Sequence, residues 1–137
     1  DRSRGLGDVY KRQKALLSKK LGDRLLVQCF DVRTLNYLHQ KYPDVRLSYL
    51  VEDKNATFEE LMARLDFVPQ VYSPESDMLT EEIAGKVRAK GMELAPWTVD
   101  DKPETERLKT LGVDAIITNQ PDSVMRWLGY PENKGKE

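Results

Sequence analysis

Apolar and polar positions along the chain follow two alternating periods. Residues 25–30 (LLVQCF), 46–51 (RLSYLV), 67–72 (FVPQVY), 93–99 (ELAPWTV) and 115–118 (AIIT) are short apolar runs of strand length. Between them apolar residues recur every three or four positions, the spacing of one helix face. Leu35, Leu38 and Tyr42 form such a face behind Asp31, whose carboxylate suits a helix N-cap, and Pro43 ends that helix. Thr57 and Glu60 make a capping box ahead of Phe58, Leu61, Met62 and Leu65. Thr80 caps a further helix, with Glu81 and Glu82 at its start, Lys86, Arg88 and Lys90 toward its end, and Gly91 as its stop. Residues 103–111 are a helix closed by Gly112, and Pro121 opens a last one reaching Leu128. Upstream, residues 14–22 read as the end of a helix stopped by Gly22. Pro69, inside the third run, predicts an edge or bulged strand, because proline has no N–H for a ladder.

Five strands separated by single helices predict a parallel sheet with right-handed crossovers. Two architectures satisfy that pattern. One is a small doubly wound sheet; the other is a set of five consecutive units from a (β/α)8 barrel of about 250 residues. Periodicity does not choose between them. Residues 1–13 (DRSRGLGDVYKRQ) have no apolar period and read as a non-native or disordered arm, such as translated adapter sequence. Residues 14–130 form the expected domain, and residues 131–137 a polar tail.

Composition narrows the partners. Lys and Arg number 22 and Asp and Glu 23, a net charge of −1, which provides no electrostatic basis for binding nucleic acid. No apolar run is long enough to span a membrane. A single cysteine rules out an intramolecular disulfide framework, and localisation, cytoplasmic or periplasmic, stays open.

In either architecture the reactive end of a parallel sheet is the C-terminal end of its strands. Gln28, Asp31, Glu52, Asp53, Ser73, Asp100, Asp101, Thr118 and Asn119 fall there. Such carboxylates suit Mg²⁺ or Ca²⁺, but Asp after a strand is more often a cap or turn residue. Cys29 and His39 are the lone cysteine and histidine. They do not form a nucleophile pair, since His39 lies two turns into a helix, about 12 Å along its axis. Cys29 reads as a small buried side chain and His39 as a solvated helix residue. Trp97, near the end of the fourth strand, offers a flat apolar wall to a ligand or fills the core. Neither a G-x-G-x-x-G nor a Walker sequence follows the first strand, which removes the nucleotide-binding doubly wound proteins.

Three blocks carry a family resemblance. Residues 26–31 (LVQCFD) resemble the (V/I)IQSFD strand of glycerophosphodiester phosphodiesterases, residues 96–100 (PWTVD) their WTVN strand, and residues 111–121 (LGVDAIITNQP) their LGVDGIITDxP ending. The blocks occur in family order and at family spacing. The resemblance implies a (β/α)8 barrel in which these five strands are the fourth through eighth. It implies hydrolysis of glycerophosphodiesters to glycerol 3-phosphate and an alcohol, with Ca²⁺ or Mg²⁺. The family's metal carboxylates and two catalytic histidines, one in an H-R-G motif, belong to the first three units, and those motifs do not occur in this sequence. The resemblance therefore implies no catalytic and no metal-binding residue here and an inactive chain by itself. It assigns substrate contact to Phe30 and Trp97 by motif, with Gln28 and Thr98 beside them. Four positions depart from the pattern: Cys29 stands for Ser, Asp100 for Asn, Ala115 for Gly and Asn119 for Asp.

Two other classes compete with a phosphodiesterase: a non-catalytic α/β module that binds a ligand or partner, and a different barrel enzyme with its active residues upstream. Part of a barrel has open sheet edges, so the chain is expected to self-associate.

Overall fold

The computed structural model describes residues 25–131. The expected arm over residues 1–13, the helix over 14–22 and the tail after Pro131 lie outside the described residues. Four strands, β1 (Leu26–Cys29), β2 (Arg46–Val51), β3 (Val71–Pro74) and β4 (Glu93–Leu94), form a parallel sheet in chain order. The connections are α1 (Val32–Lys41), α2 (Phe58–Ala63) and, after a 3-10 turn at Ser76–Met78, α3 (Glu81–Ala89). Then come α4 (Lys102–Leu111) and α5 (Pro121–Trp127).

Register sets which side chains face the helices. Leu26 pairs with Arg46, Ser48 with Val71, and Val71 with Glu93, so alternate residues align across all four strands. Val27, Leu47, Tyr49, Val51, Tyr72 and Leu94 enter one core with Leu35 and Leu38 of α1, Phe58, Leu61 and Met62 of α2, Ala84 and Val87 of α3, and Leu108 of α4. The other face carries Gln28, Ser48, Val71 and Ser73, with an Arg46–Glu93 ion pair at 3.2 Å. A doubly wound sheet covers both faces with helices; here α1 to α4 share a single core. That one-sided arrangement is the wall of a barrel.

The helix boundaries follow local chemistry. Asp31 accepts hydrogen bonds from the N–H groups of Arg33 and Thr34 and caps α1. Thr57 and Glu60 form the expected capping box, and Thr80 and Asp101 cap α3 and α4. Gly112 ends α4 at φ 75°, a left-handed conformation open to glycine. Arg88 of α3 donates to the carbonyls of Leu111 and Gly112 there, joining two helices by one side chain.

Three expectations need correction. First, β3 is a central strand and not an edge, because it begins two residues after Pro69. Gln70 covers the gap: its side-chain oxygen accepts from Leu47 N–H at 2.7 Å while its own N–H donates to the Leu47 carbonyl at 3.1 Å. Second, the fourth and fifth runs are not regular strands throughout. β4 covers two residues, and residues 115–118 form an extended segment bonded to it. Ala115 N–H donates to Leu94 and Ile117 N–H to Pro96. A parallel ladder needs the residue two beyond each acceptor to donate back. At Ala115 that residue is Pro96, which has no N–H; at Ile117 the returning bond comes from Val99. Third, His39 is not simply solvated: its ring stacks on Phe67 at 4.1 Å between centroids.

Leu47 has no exposed surface and sits centrally in this core. Leu47→Ala is expected to cost about 2–5 kcal/mol, read from the urea midpoint. A loss below about 1 kcal/mol would mean that the site collapses around the smaller side chain.

Candidate functional site

The C-terminal ends of the strands meet at Trp97. Its N–H donates to the Pro74 carbonyl at 3.0 Å and its carbonyl accepts from Ser76 N–H at 2.6 Å, a single bridge that carries the β3–β4 pairing past β4. Its indole N–H donates to the Ser73 carbonyl at 2.7 Å, so the ring leans over β3. There it meets Phe30, at the end of β1, edge to face: the centroids are 5.6 Å apart and the planes cross at 84°. Such pairs contribute about 0.5–1.5 kcal/mol beyond their burial. Phe30 remains 48% exposed and Trp97 half-buried, so the two rings form an open aromatic corner. Two clefts, of 440 and 610 Å³, lie elsewhere, between α2 and α3 and between α4 and α5.

The other residues singled out by sequence sit around this corner. Gln28 is exposed two residues before Phe30 on the same face of β1, in register with Ser48. Thr98 is exposed beside Trp97, and the Trp97–Thr98 peptide is cis. Ser73 falls within β3, fully buried, with its hydroxyl donating to the Ala95 carbonyl at 2.5 Å. Cys29 is half-buried; burial pushes its thiol pKa up, which leaves it a poor nucleophile.

The carboxylates have structural work. Asp31 and Asp101 cap helices. Asp53 accepts from Asn55 N–H and pairs with Arg64 at 3.0 Å, and that hydrogen bond holds its pKa below the usual carboxylate range. Asp100 accepts from the Thr118 hydroxyl and from Asn119 N–H, both at 3.0 Å, tying the segment after Trp97 to the segment at 115–118. Asp77 and Glu75 share Lys54, at 2.6 and 3.8 Å. Among the described residues no group of three or more His, Cys, Asp or Glu is placed to hold a metal ion. The described residues do not fit a Ca²⁺ or Mg²⁺ site, which needs several converging oxygens.

Lys54, Glu75 and Ser76 were not anticipated from sequence at this edge. Glu75 and Ser76 are missed because β3 runs two residues further than its apolar pattern and carries them up to Trp97, and Lys54, in the loop after β2, because its partners Glu75 and Asp77 lie more than twenty positions away.

Fold and site together describe part of a (β/α)8 barrel with an aromatic corner at the C-terminal end of its strands. The model of the glycerophosphoryl diester phosphodiesterase family matches residues 5–123. The chain belongs to that family. A glycerophosphodiester phosphodiesterase from Caldanaerobacter subterraneus is 26% identical over 121 residues, 87% of this chain and 48% of the relative. Among solved structures, a glycerophosphodiester phosphodiesterase from Parabacteroides distasonis superposes with a TM-score of 0.74 at 21% identity, covering 93% of this chain and 52% of that one. An Oleispira antarctica phosphodiesterase, solved with the product sn-glycerol-3-phosphate, superposes with a TM-score of 0.65 at 18% identity, covering 76% and 41%. The chain thus spans about half the length of the relatives it matches.

Asp100→Ala removes the acceptor for both Thr118 and Asn119 and is expected to lower stability by about 1–2 kcal/mol in urea unfolding. Asp100→Asn keeps an accepting oxygen and should lose less. Equal losses would show that the charge, and not the acceptor, matters.

Proposed function

We propose that this chain forms the substrate-facing aromatic wall of a metal-dependent glycerophosphodiester phosphodiesterase, which cleaves a glycerophosphodiester to glycerol 3-phosphate and an alcohol. The observation that carries the reading is the Phe30–Trp97 corner, standing at the C-terminal edge of a parallel sheet in a chain of this family. Its two rings offer apolar surface to the carbon chain of the glycerol unit, with Gln28 and Thr98 on either side to supply polar contacts. The glycerol 3-phosphate bound by the Oleispira antarctica neighbour is a ligand of that size and chemistry.

Cleavage of a phosphodiester needs charge neutralisation at phosphorus and a proton for the leaving oxygen. The carboxylates here cap, brace or pair, and the one histidine is stacked on Phe67. Those tasks, and the ligands of Ca²⁺ or Mg²⁺, fall to units of the barrel outside the described residues. This chain binds and orients; it does not by itself move the proton.

Release of glycerol 3-phosphate from glycerophosphocholine, followed by a coupled assay with Ca²⁺ or Mg²⁺, tests this. Activity is expected in a version extended upstream to full barrel length and not in this chain alone. Activity in this chain alone would mean that Asp31, Asp53 or Asp100 does chemistry beyond bracing. Inactivity of both would point to a non-catalytic module.

The open barrel wall has a second consequence. Among the described residues β1 pairs with β2 alone, and Leu26, Phe30, Met125 and Tyr130 are exposed apolar side chains. The isolated chain should therefore self-associate in sizing chromatography. A sharp monomer peak with cooperative melting would overturn this.

A further inference from the structure

We infer that Arg107 is a positioning residue for the Trp97 wall, acting through the turn at residues 75–79. The inference rests on the reading of Trp97 as part of the substrate site.

Arg107 lies on α4, nearly two turns beyond the capping residue Asp101. Its Nε and Nη2 donate to the two carboxylate oxygens of Glu104 at 2.7 and 2.8 Å, a bidentate fork within one helical turn. The fork fixes the guanidinium plane. From that plane Nη1 donates to the Leu79 carbonyl at 2.8 Å and Nη2 to the Ser76 carbonyl at 2.7 Å. These carbonyls bracket the 3-10 turn at Ser76–Met78, so one planar group holds both ends of the turn. Only arginine has this geometry: four donors in one rigid plane, where lysine offers a single rotatable ammonium.

The end of β3 and the start of this turn together hold Trp97. All three polar groups of Trp97 (its N–H, its carbonyl and its indole N–H) bond to residues 73–76. Ser76 is the joint: its carbonyl accepts from Arg107 and its N–H donates to the Trp97 carbonyl. A shift of the turn moves the Trp97 backbone, and with it the edge-to-face contact to Phe30. Lys54 also reaches the turn, through Asp77, but it grips an exposed side chain and not the backbone.

An ordinary role in stability would look different. The Arg107 side chain is 41% exposed, and ion pairs at such positions add little to stability. A positioning role predicts a large change at Trp97 and a small one in the melting temperature. The sequence has two tryptophans, so Trp127→Phe leaves Trp97 as the lone fluorophore. In that background Arg107→Gln is expected to shift Trp97 emission to the red and to raise its acrylamide quenching constant, with the melting temperature nearly unchanged. Glu104→Gln, which removes the fork, should move both in the same direction by less. Arg107→Lys keeps the charge but not the fork, and should shift the emission much as Arg107→Gln does, again with the melting temperature nearly unchanged. If Trp127→Phe itself lowers the melting temperature, ¹⁹F spectra of the chain labelled with 5-fluorotryptophan read the Trp97 resonance without that substitution.

Unchanged emission, quenching and ¹⁹F shift in Arg107→Gln would overturn the inference. So would full recovery of the Trp97 signal in Arg107→Lys, since charge alone would then suffice. In the full-length enzyme Arg107→Gln should raise KM for glycerophosphocholine about tenfold with kcat less affected, within the roughly 10²-fold that an ångström of misplacement costs. If the full-length enzyme is inactive toward glycerophosphodiesters, the proposed function fails. The link from Arg107 to Trp97 is still decided by the fluorescence.

Discussion

The described structure depends on β3 finding a bonding partner for its backbone on both sides. It is the strand through which β2 and β4 are joined, and all four of its residues are buried. A proline two residues before such a strand threatens it, because a missing N–H in a buried ladder leaves an acceptor without a donor. The chain meets this at Gln70, whose side chain supplies the acceptor for Leu47 N–H while its backbone continues the pairing to Leu47 and to Glu93. With the sheet thus started, Tyr72 is set between Tyr49 and Phe58, at 6.2 and 5.2 Å between ring centroids, and the aromatic centre of the core follows. The same strand, continued through Glu75 and Ser76, then receives Trp97.

What could be read from sequence divides along the range of the interactions involved. Caps are local: an oxygen at Asp31, Thr57 or Thr80 and an amide two or three residues on are enough, and these three caps stand where the pattern put them, while the helix expected from Pro103 starts at Lys102 behind Asp101. β2 is likewise found over the expected residues, because its alternation of Leu47, Tyr49 and Val51 against the helices is unbroken. The two prolines show where local reading fails. Pro69 looked disruptive and is harmless, since the strand starts after it. Pro96 lies in a run that reads as an uninterrupted strand, yet it has no N–H to return to Ala115, one of the two places where the ladder to residues 115–118 breaks. The effect of a proline depends on which neighbour needs its N–H, and that is a property of the register.

The candidate site was legible in the same uneven way. Phe30 and Trp97 were found by family motif, and the structure brings them together although 67 positions separate them. That Gln28 and Thr98 flank the corner follows from their being one or two residues away. The ring of carboxylates expected at the strand ends is present as a set of positions but not as a metal site, because Asp53 and Asp100 have committed their oxygens to Arg64, Thr118 and Asn119. Arg107 could be read only as the partner of Glu104 at helical spacing. Nothing in that spacing says that its remaining donors reach Ser76 and Leu79, about thirty positions earlier in the chain.

The departures from the family pattern make sense within the proposed division between wall and catalyst. Cys29 faces away from the aromatic corner, packed at the edge of the core, with its sulfur 3.3 Å from Asp31 N. A weak thiol acceptor suffices there, because the amide it meets opens a helix that Asp31 already caps. At position 100 the role observed is that of an acceptor for one hydroxyl and one amide, and a carboxylate fills it as an amide oxygen would. The hydrogen bonds of Cys29 and Asp100 go to Asp31, Thr118 and Asn119, and not to the Trp97 corner. At both positions the task is one that a similar oxygen or sulfur can perform. Phe30, Trp97 and Arg107 have tasks of another kind, an edge-to-face ring contact and a single plane that reaches two backbone carbonyls, and there the geometry of the particular side chain matters.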